Sequence, residues 1–175
     1  MNPAEVQSGF SLSAEKRSHD PTVRVFYYTM HNRFIAHASL TVDAKERSIV
    51  WDTFCPVGMD GVPTRNGIGT LAHIETMRSL LHDEMIEPSV SEFTVRHRFP
   101  ALFSLSHSRW KHLRAMNLRP ALWTGMPLPE YALRSMKFGE TKGFTFPEEE
   151  LRQVEEQSKQ IDENRTMLMK LLGRV

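Results

Sequence analysis

The sequence predicts an α/β (α+β) fold, a mixed and mostly antiparallel sheet flanked by helices, with an added long C-terminal helix. Three observations carry this. Residues 22–55 hold three runs rich in β-branched and aromatic residues, separated by polar turns. A glycine-rich loop then gives way to a helical stripe over 68–86, and residues 147–173 read as a capped amphipathic helix. The 175 residues suit one ordinary domain plus an appendage, and an apolar fraction of 40% beside 25% charged residues suits a chain that buries a core. The expected division is a tail over 1–20, a domain over 21–140 and a helix over 147–173 that serves packing or oligomerisation.

Composition excludes several classes of function. With 22 Lys and Arg against 21 Asp and Glu, the net charge of +1 offers no general field for nucleic acid or acidic membranes. The longest charge-free stretches, 99–108 and 120–129, are about half the roughly 20 residues a membrane-spanning helix needs, so no membrane partner is expected. Glu5, Glu15, Lys16, Arg17 and Asp20 interrupt the N-terminal region, which carries no apolar signal core; a cytoplasmic location is the expectation. A single cysteine, Cys55, forms neither an internal disulfide nor a cysteine cluster, and the eight histidines lack zinc-site spacing, so no metal is expected.

Residues 1–20 are polar apart from Phe10 and Leu12 and read as a tail or one short edge strand. Residues 22–30 and 34–42, joined by His31–Asn32, read as a hairpin. A second polar turn at 43–46 leads to a third strand, in which Ile49, Trp51 and Thr53 alternate with Val50, Asp52 and Phe54. Leu71, Ile74, Met77, Leu81 and Met85 then recur at helical spacing until Pro88 ends the helix. Residues 91–98 alternate like a strand, 101–116 read as a second helix, and 119–125 and 130–138 as two further short strands. In 147–173, acidic residues fill the first turn and basic ones the last, as the helix dipole prefers. Leu151, Val154, Ser158, Ile161, Arg165, Leu168 and Leu172 follow alternating steps of three and four, a short heptad seam suited to the domain's surface or to a homodimer.

The loop before the first helix carries the chemistry. Arg65-Asn66-Gly67-Ile68-Gly69-Thr70 joins a strand to a helix N-terminus, where amides without intrahelical acceptors and the positive end of the dipole suit a phosphate. No Gly-Lys-Ser/Thr follows, so it is not a Walker loop. No third glycine falls three residues after Gly69, so it is not a dinucleotide fingerprint.

This loop, placed after a three-stranded meander and before helix, strand, helix and two strands, resembles the GNAT acyltransferase superfamily, whose pyrophosphate signature is Gln/Arg-x-x-Gly-x-Gly/Ala. The Gly-Ile-Gly-Thr-Leu portion matches, while Thr64 stands where Gln or Arg is expected, with Arg65 one place later. The run over 106–118 resembles the family's later helix, with Asn117–Leu118 in place of a Gly-Phe pair. The resemblance covers roughly 22–138 and implies acetyl-coenzyme A, or another acyl-coenzyme A. Its pyrophosphate would lie on the amides of Arg65, Asn66, Gly67, Ile68, Gly69 and Thr70, and its pantetheine on main-chain groups near Phe54 and Cys55. It implies an acyl-coenzyme A-dependent N-acyltransferase that passes the acyl group directly to an amine of a small-molecule or protein acceptor.

A base is then needed near the acceptor. Asp52 and Glu92 are carboxylate candidates, and His97 and His107 titrate near neutrality. Ser106 falls where many members place an Asn near the cofactor. Leu113 falls where many place the Tyr that protonates the leaving thiolate, so Ser106, Ser108, a water or no side chain at all takes that step. A base partner for Cys55 is not visible, and buried structural cysteine is the commoner state. Arg109, Lys111, His112, Arg114 and Arg119 suit a solvated helix face, with a nucleotide phosphate or RNA as the rarer use. The missing Tyr and the short region before the meander leave an alternative: a non-catalytic binding or assembly module that uses its C-terminal helix for partner contact.

Overall fold

A computed structural model describes residues 2–56, 67–97 and 125–174. It is an α+β fold built on an open six-stranded sheet, in which the order of strands across the sheet follows the chain. Helix α1 (Pro3–Gly9) leads into β1 (Phe10–Arg17), β2 (Asp20–Met30), β3 (Arg33–Asp43) and β4 (Ser48–Pro56). Helix α2 (Ile68–Leu81) and a 3-10 turn over Glu87–Glu92 precede β5 (Thr94–His97). The two-residue β6 (Met126–Pro127), helix α3 (Leu128–Thr141) and helix α4 (Glu148–Leu171) follow.

Local chemistry explains these boundaries. Asn2 caps α1 in a reciprocal box: its Oδ1 accepts from the Glu5 amide and the Glu5 carboxylate accepts from the Asn2 amide, each at 2.9 Å. His31 and Asn32 join β2 to β3 with φ of 48° and 62°, the left-handed angles that a tight two-residue hairpin requires. Asp43 accepts from the amides of Lys45 and Glu46 and folds the next turn. β1 to β4 pair antiparallel, β4 and β5 pair parallel across the α2 connection, and β6 pairs antiparallel with β5.

The alternating face that carries Phe26, Tyr28, Ala38, Leu40, Val42, Ile49 and Trp51 forms one core with Leu71, Ile74 and Met77 of α2 and with Leu128, Ala132 and Met136 of α3. α2 packs on α3 and α3 on α4.

Two expected elements differ. The segment over 1–20, read as a tail or one short edge strand, does carry an edge strand, eight residues paired along β2, and adds before it a capped helix whose Val6 is wholly buried. Residues 130–138, expected as a strand, lie inside helix α3. The C-terminal helix stands as expected, but its seam divides. Val154 is buried and Leu151, Ser158 and Ile161 are half-buried, whereas Arg165, Leu168 and Leu172 are exposed. The helix expected over 101–116 and all but Gly125 of the strand expected over 119–125 fall outside the described residues.

Candidate functional site

The sheet holds one parallel pair among its described strands. β4 and β5 run side by side from Ser48 opposite Thr94 to Trp51 opposite His97, the last described residue of β5. β4 continues to Pro56 along β3. Between Leu40 opposite Trp51 and Ser39 opposite Thr53 the register slips by one residue, so Asp52 is the extra residue of a β-bulge. From that bulge to Pro56, β4 has β3 on one side and no described strand on the other.

Helix α2 starts beyond this end of β4. Gly67 precedes its first turn with φ 75°, a conformation that side-chain-bearing residues rarely adopt. Among the described residues the first backbone bond of the helix runs from the Leu71 amide to the Gly67 carbonyl at 2.9 Å, and Ile68 and Gly69 precede that bond. Gly67 faces the Phe144 ring, which a Cβ at that position would meet at 3.1 Å, whereas a Cβ on Gly69 would meet no described residue within 4 Å. Among the described residues the turn is thus crowded at Gly67 and uncrowded at Gly69.

Four rings from four elements gather beside the parallel pair. His73 of α2 stacks on Trp51 of β4, centroids 5.1 Å apart, and lies 5.4 Å from the Tyr131 ring of α3. The His97 ring is 6.2 Å from Trp51, and its Nε2 is 3.3 Å from the Tyr131 hydroxyl. Trp51, His73 and Tyr131 are buried and His97 is half-buried. An imidazole and a phenol within hydrogen-bond reach form a pair able to pass a proton.

The expected site residues scatter relative to this corner. Asp52 is half-buried and accepts from Thr41 Oγ1 at 2.6 Å. Leu40 and Val42 are buried on the core face, so Thr41 and the Asp52 carboxylate belong to the sheet face turned away from α2. Glu92 is not on a strand: it ends the 3-10 turn, is largely exposed, and pairs with Arg47 at 3.4 Å. That pair flanks the start of β4, about 26 Å of extended chain from its end, so Glu92 stands apart from the α2 turn. The main chain at Phe54 and Cys55 belongs to β4 opposite Ala38 and His37. Arg65, Asn66, Ser106, His107 and Leu113 lie outside the described residues.

Sequence reasoning missed His73 and Tyr131. His73 interrupts the apolar stripe of α2 as a buried polar residue, the one signal that marked it; Tyr131 was assigned to a strand.

No helix among the described residues is long and apolar enough to cross a membrane, and no described group of three or more His, Cys, Asp or Glu side chains is arranged to hold a metal ion. No family model, curated protein or solved structure gives a significant match to this chain.

Proposed function

We propose that the chain is an acyl-coenzyme A-dependent N-acyltransferase, with acetyl as the acyl group, acting on an amine acceptor. One observation carries the reading: past its parallel pairing with β5, described as far as Trp51 and His97, β4 runs on along β3 through a bulge, and a glycine-capped helix N-terminus follows it in the chain. An extended arm laid along β4 at Phe54 and Cys55 would extend the sheet through main-chain bonds. The first amides of α2 would face a diphosphate, and no described residue crowds the Gly69 Cα against its close approach.

The bound thioester supplies an activated carbonyl. The acceptor nitrogen forms the new C–N bond as the C–S bond breaks, the nitrogen gives up one proton, and the departing thiolate takes one. His97 of β5 and Tyr131 of α3 are the side chains in this reading that hold and move those protons, in place of Leu113. Asp52, on the opposite sheet face, is the carboxylate left to orient an acceptor arriving from that side.

Calorimetric titration with acetyl-coenzyme A tests the reading. A dissociation constant of roughly micromolar order, about −8 kcal/mol, supports it, and silence at about millimolar ligand refutes it.

A second reading, a non-catalytic assembly module acting through α4, is favoured by Met167, Leu168, Leu171 and Leu172, which are 61%, 55%, 79% and 57% exposed. Sedimentation of the chain with and without residues 159–175 separates the two. A mass that falls on truncation in a chain silent to acetyl-coenzyme A supports the module.

A further inference from the structure

A cleft of about 480 Å³ lies between α1, β1 and α2, and the segment over 143–145 closes one end. Strands β2 and β3 separate β1 from β4, so it is distinct from the parallel pair described above. Phe10 and Leu12 of β1 and Leu71 of α2 give it apolar walls. Its rim is already bonded: the Gln7 side-chain amide donates to the Thr145 carbonyl at 2.6 Å and accepts from the Thr145 amide at 2.9 Å.

The charged groups lining the cleft are Glu75 and Arg78, one turn apart on α2. The Arg78 guanidinium is committed. Its Nε and Nη2 fork onto the two oxygens of Glu150 at 2.8 and 2.5 Å, its Nη1 donates to Glu75 Oε1 at 2.6 Å, and the Phe146 ring lies 5.1 Å from its centre. One cation thus faces two carboxylates, which leaves a net negative charge. Glu75 Oε2 takes no hydrogen bond from any described residue. We propose that this cleft binds a small organic cation, a primary ammonium carried on an apolar body, with the ammonium on Glu75 and the body against Phe10, Leu12 and Leu71.

Several observations select that chemistry. A single acceptor oxygen suits the point charge of an ammonium, whereas a guanidinium seeks a carboxylate's two oxygens together and a hard metal ion seeks six or more oxygens. The volume falls in the range of small-molecule sites, roughly 300–1,000 Å³, and Phe10, Leu12 and Leu71 give it an apolar side for the ligand's body. Burial holds the Glu75 carboxyl above its usual range; the Arg78 charge and hydrogen bond oppose this, and the Glu150 charge adds to it. An arriving cation lowers the cost of keeping that carboxylate ionised. This proposal does not rest on acyl transfer.

Titration of the full chain with 2-phenylethylamine, and with 2-phenylethanol as its uncharged counterpart, tests the proposal by calorimetry. The amine is expected to bind at least about tenfold more tightly than the alcohol, as a charge-assisted hydrogen bond provides. Glu75→Gln is expected to bring the two within about threefold of each other, with a melting curve showing the variant folded. Ala4→Trp, at an exposed position on the cleft wall, is expected to abolish binding of both. Equal affinity for amine and alcohol, an amine preference that survives Glu75→Gln, unchanged binding by Ala4→Trp, or no saturable amine binding each overturns it.

Discussion

His97 of β5 holds its Nε2 3.3 Å from the hydroxyl of Tyr131, a residue 34 positions later in α3. The contact ties the parallel strand pair to α3. Under the acyltransfer reading, Tyr131→Phe keeps the ring beside His73 and removes only the hydroxyl. The expected outcome is a fall in kcat of about a hundredfold with the KM for acetyl-coenzyme A held within about twofold, since one positioned acid or base contributes roughly 10²–10⁴. Steady-state kinetics at saturating amine measure this. A rise in KM with unchanged kcat would reduce Tyr131 to a packing role.

The two glycines at the start of α2 should part company on substitution. Gly67 has φ 75° and faces Phe144 at 3.1 Å, so Gly67→Ala meets backbone strain and a crowded ring together and should cost roughly 1–3 kcal/mol. Gly69 sits within the helix with no described residue within 4 Å of its Cβ position. Gly69→Ala should therefore raise the stability of the ligand-free chain by up to about 1 kcal/mol while weakening acetyl-coenzyme A binding. Urea unfolding and calorimetry on the same two variants read both effects. Stability lost at Gly69 and kept at Gly67 would reverse the assignment of the turn.

That contrast shows what the sequence could and could not disclose. The meander was legible because β2 and β3 are rich in β-branched and aromatic residues, alternate buried and half-buried positions over Phe26–Met30 and Ala36–Asp43, and are joined by the turn-forming pair His31–Asn32; α4 was legible from its charge gradient. Helix α3 was hidden because its buried face, Leu128, Tyr131, Ala132, Ser135, Met136 and Gly139, includes two residues that do not count as apolar. Ser135 is accommodated by donating to the Tyr131 carbonyl at 2.8 Å, and Gly139 sits where a Cβ would meet Ile74 Cδ1 at 2.6 Å. β1 was legible only as one of two alternatives, because an edge strand of exposed Ser, Ala, Glu and Lys has only one partner strand to satisfy. The glycine turn was legible; the ring cluster was not, because its members come from four elements and meet only in space.

Acid should find a weak point at the far end of α2. Arg24 of β2 grips Asp83 bidentately, Nε to Oδ2 at 2.6 Å and Nη2 to Oδ1 at 3.1 Å, and both side chains are nearly covered. Burial, the largest influence, pushes the Asp83 carboxyl up. The Arg24 hydrogen bonds, the Met85 amide and the charges of Arg24 and Lys16 outweigh it and hold the carboxyl below its ordinary value. A depressed folded pKa means that the pair's stabilisation is fully present above about pH 4, the unfolded aspartate range, and is lost as pH falls through the folded value. Asp83→Asn should lose about 3–5 kcal/mol at neutral pH, because Arg24 is left buried without its charge partner, and should show a flatter acid limb than the parent. Urea unfolding between about pH 2 and pH 7 checks both parts. Parallel acid limbs in parent and variant would remove Asp83 from the account.

Helix α4 should divide into a half that holds the domain and a half that does not. Val154 is buried in the core, Glu150 is forked onto Arg78, and Lys137 reaches Glu155 at 3.5 Å, so the first turns are fastened to α2 and α3. Every described residue from Asp162 onward is exposed. Removing residues 162–175 should therefore leave the thermal midpoint within about 2 °C, as surface changes of roughly 0.5 kcal/mol allow in a chain of this size. Val154→Ala, which uncovers apolar surface at the α3 contact, should cost roughly 2 kcal/mol and lower the midpoint by about 4–8 °C. Calorimetric melts of the two variants decide the matter: a large drop on truncation would mean that the exposed leucines and methionines are packed in solution, whereas an unchanged melt places all of the stabilisation before Asp162.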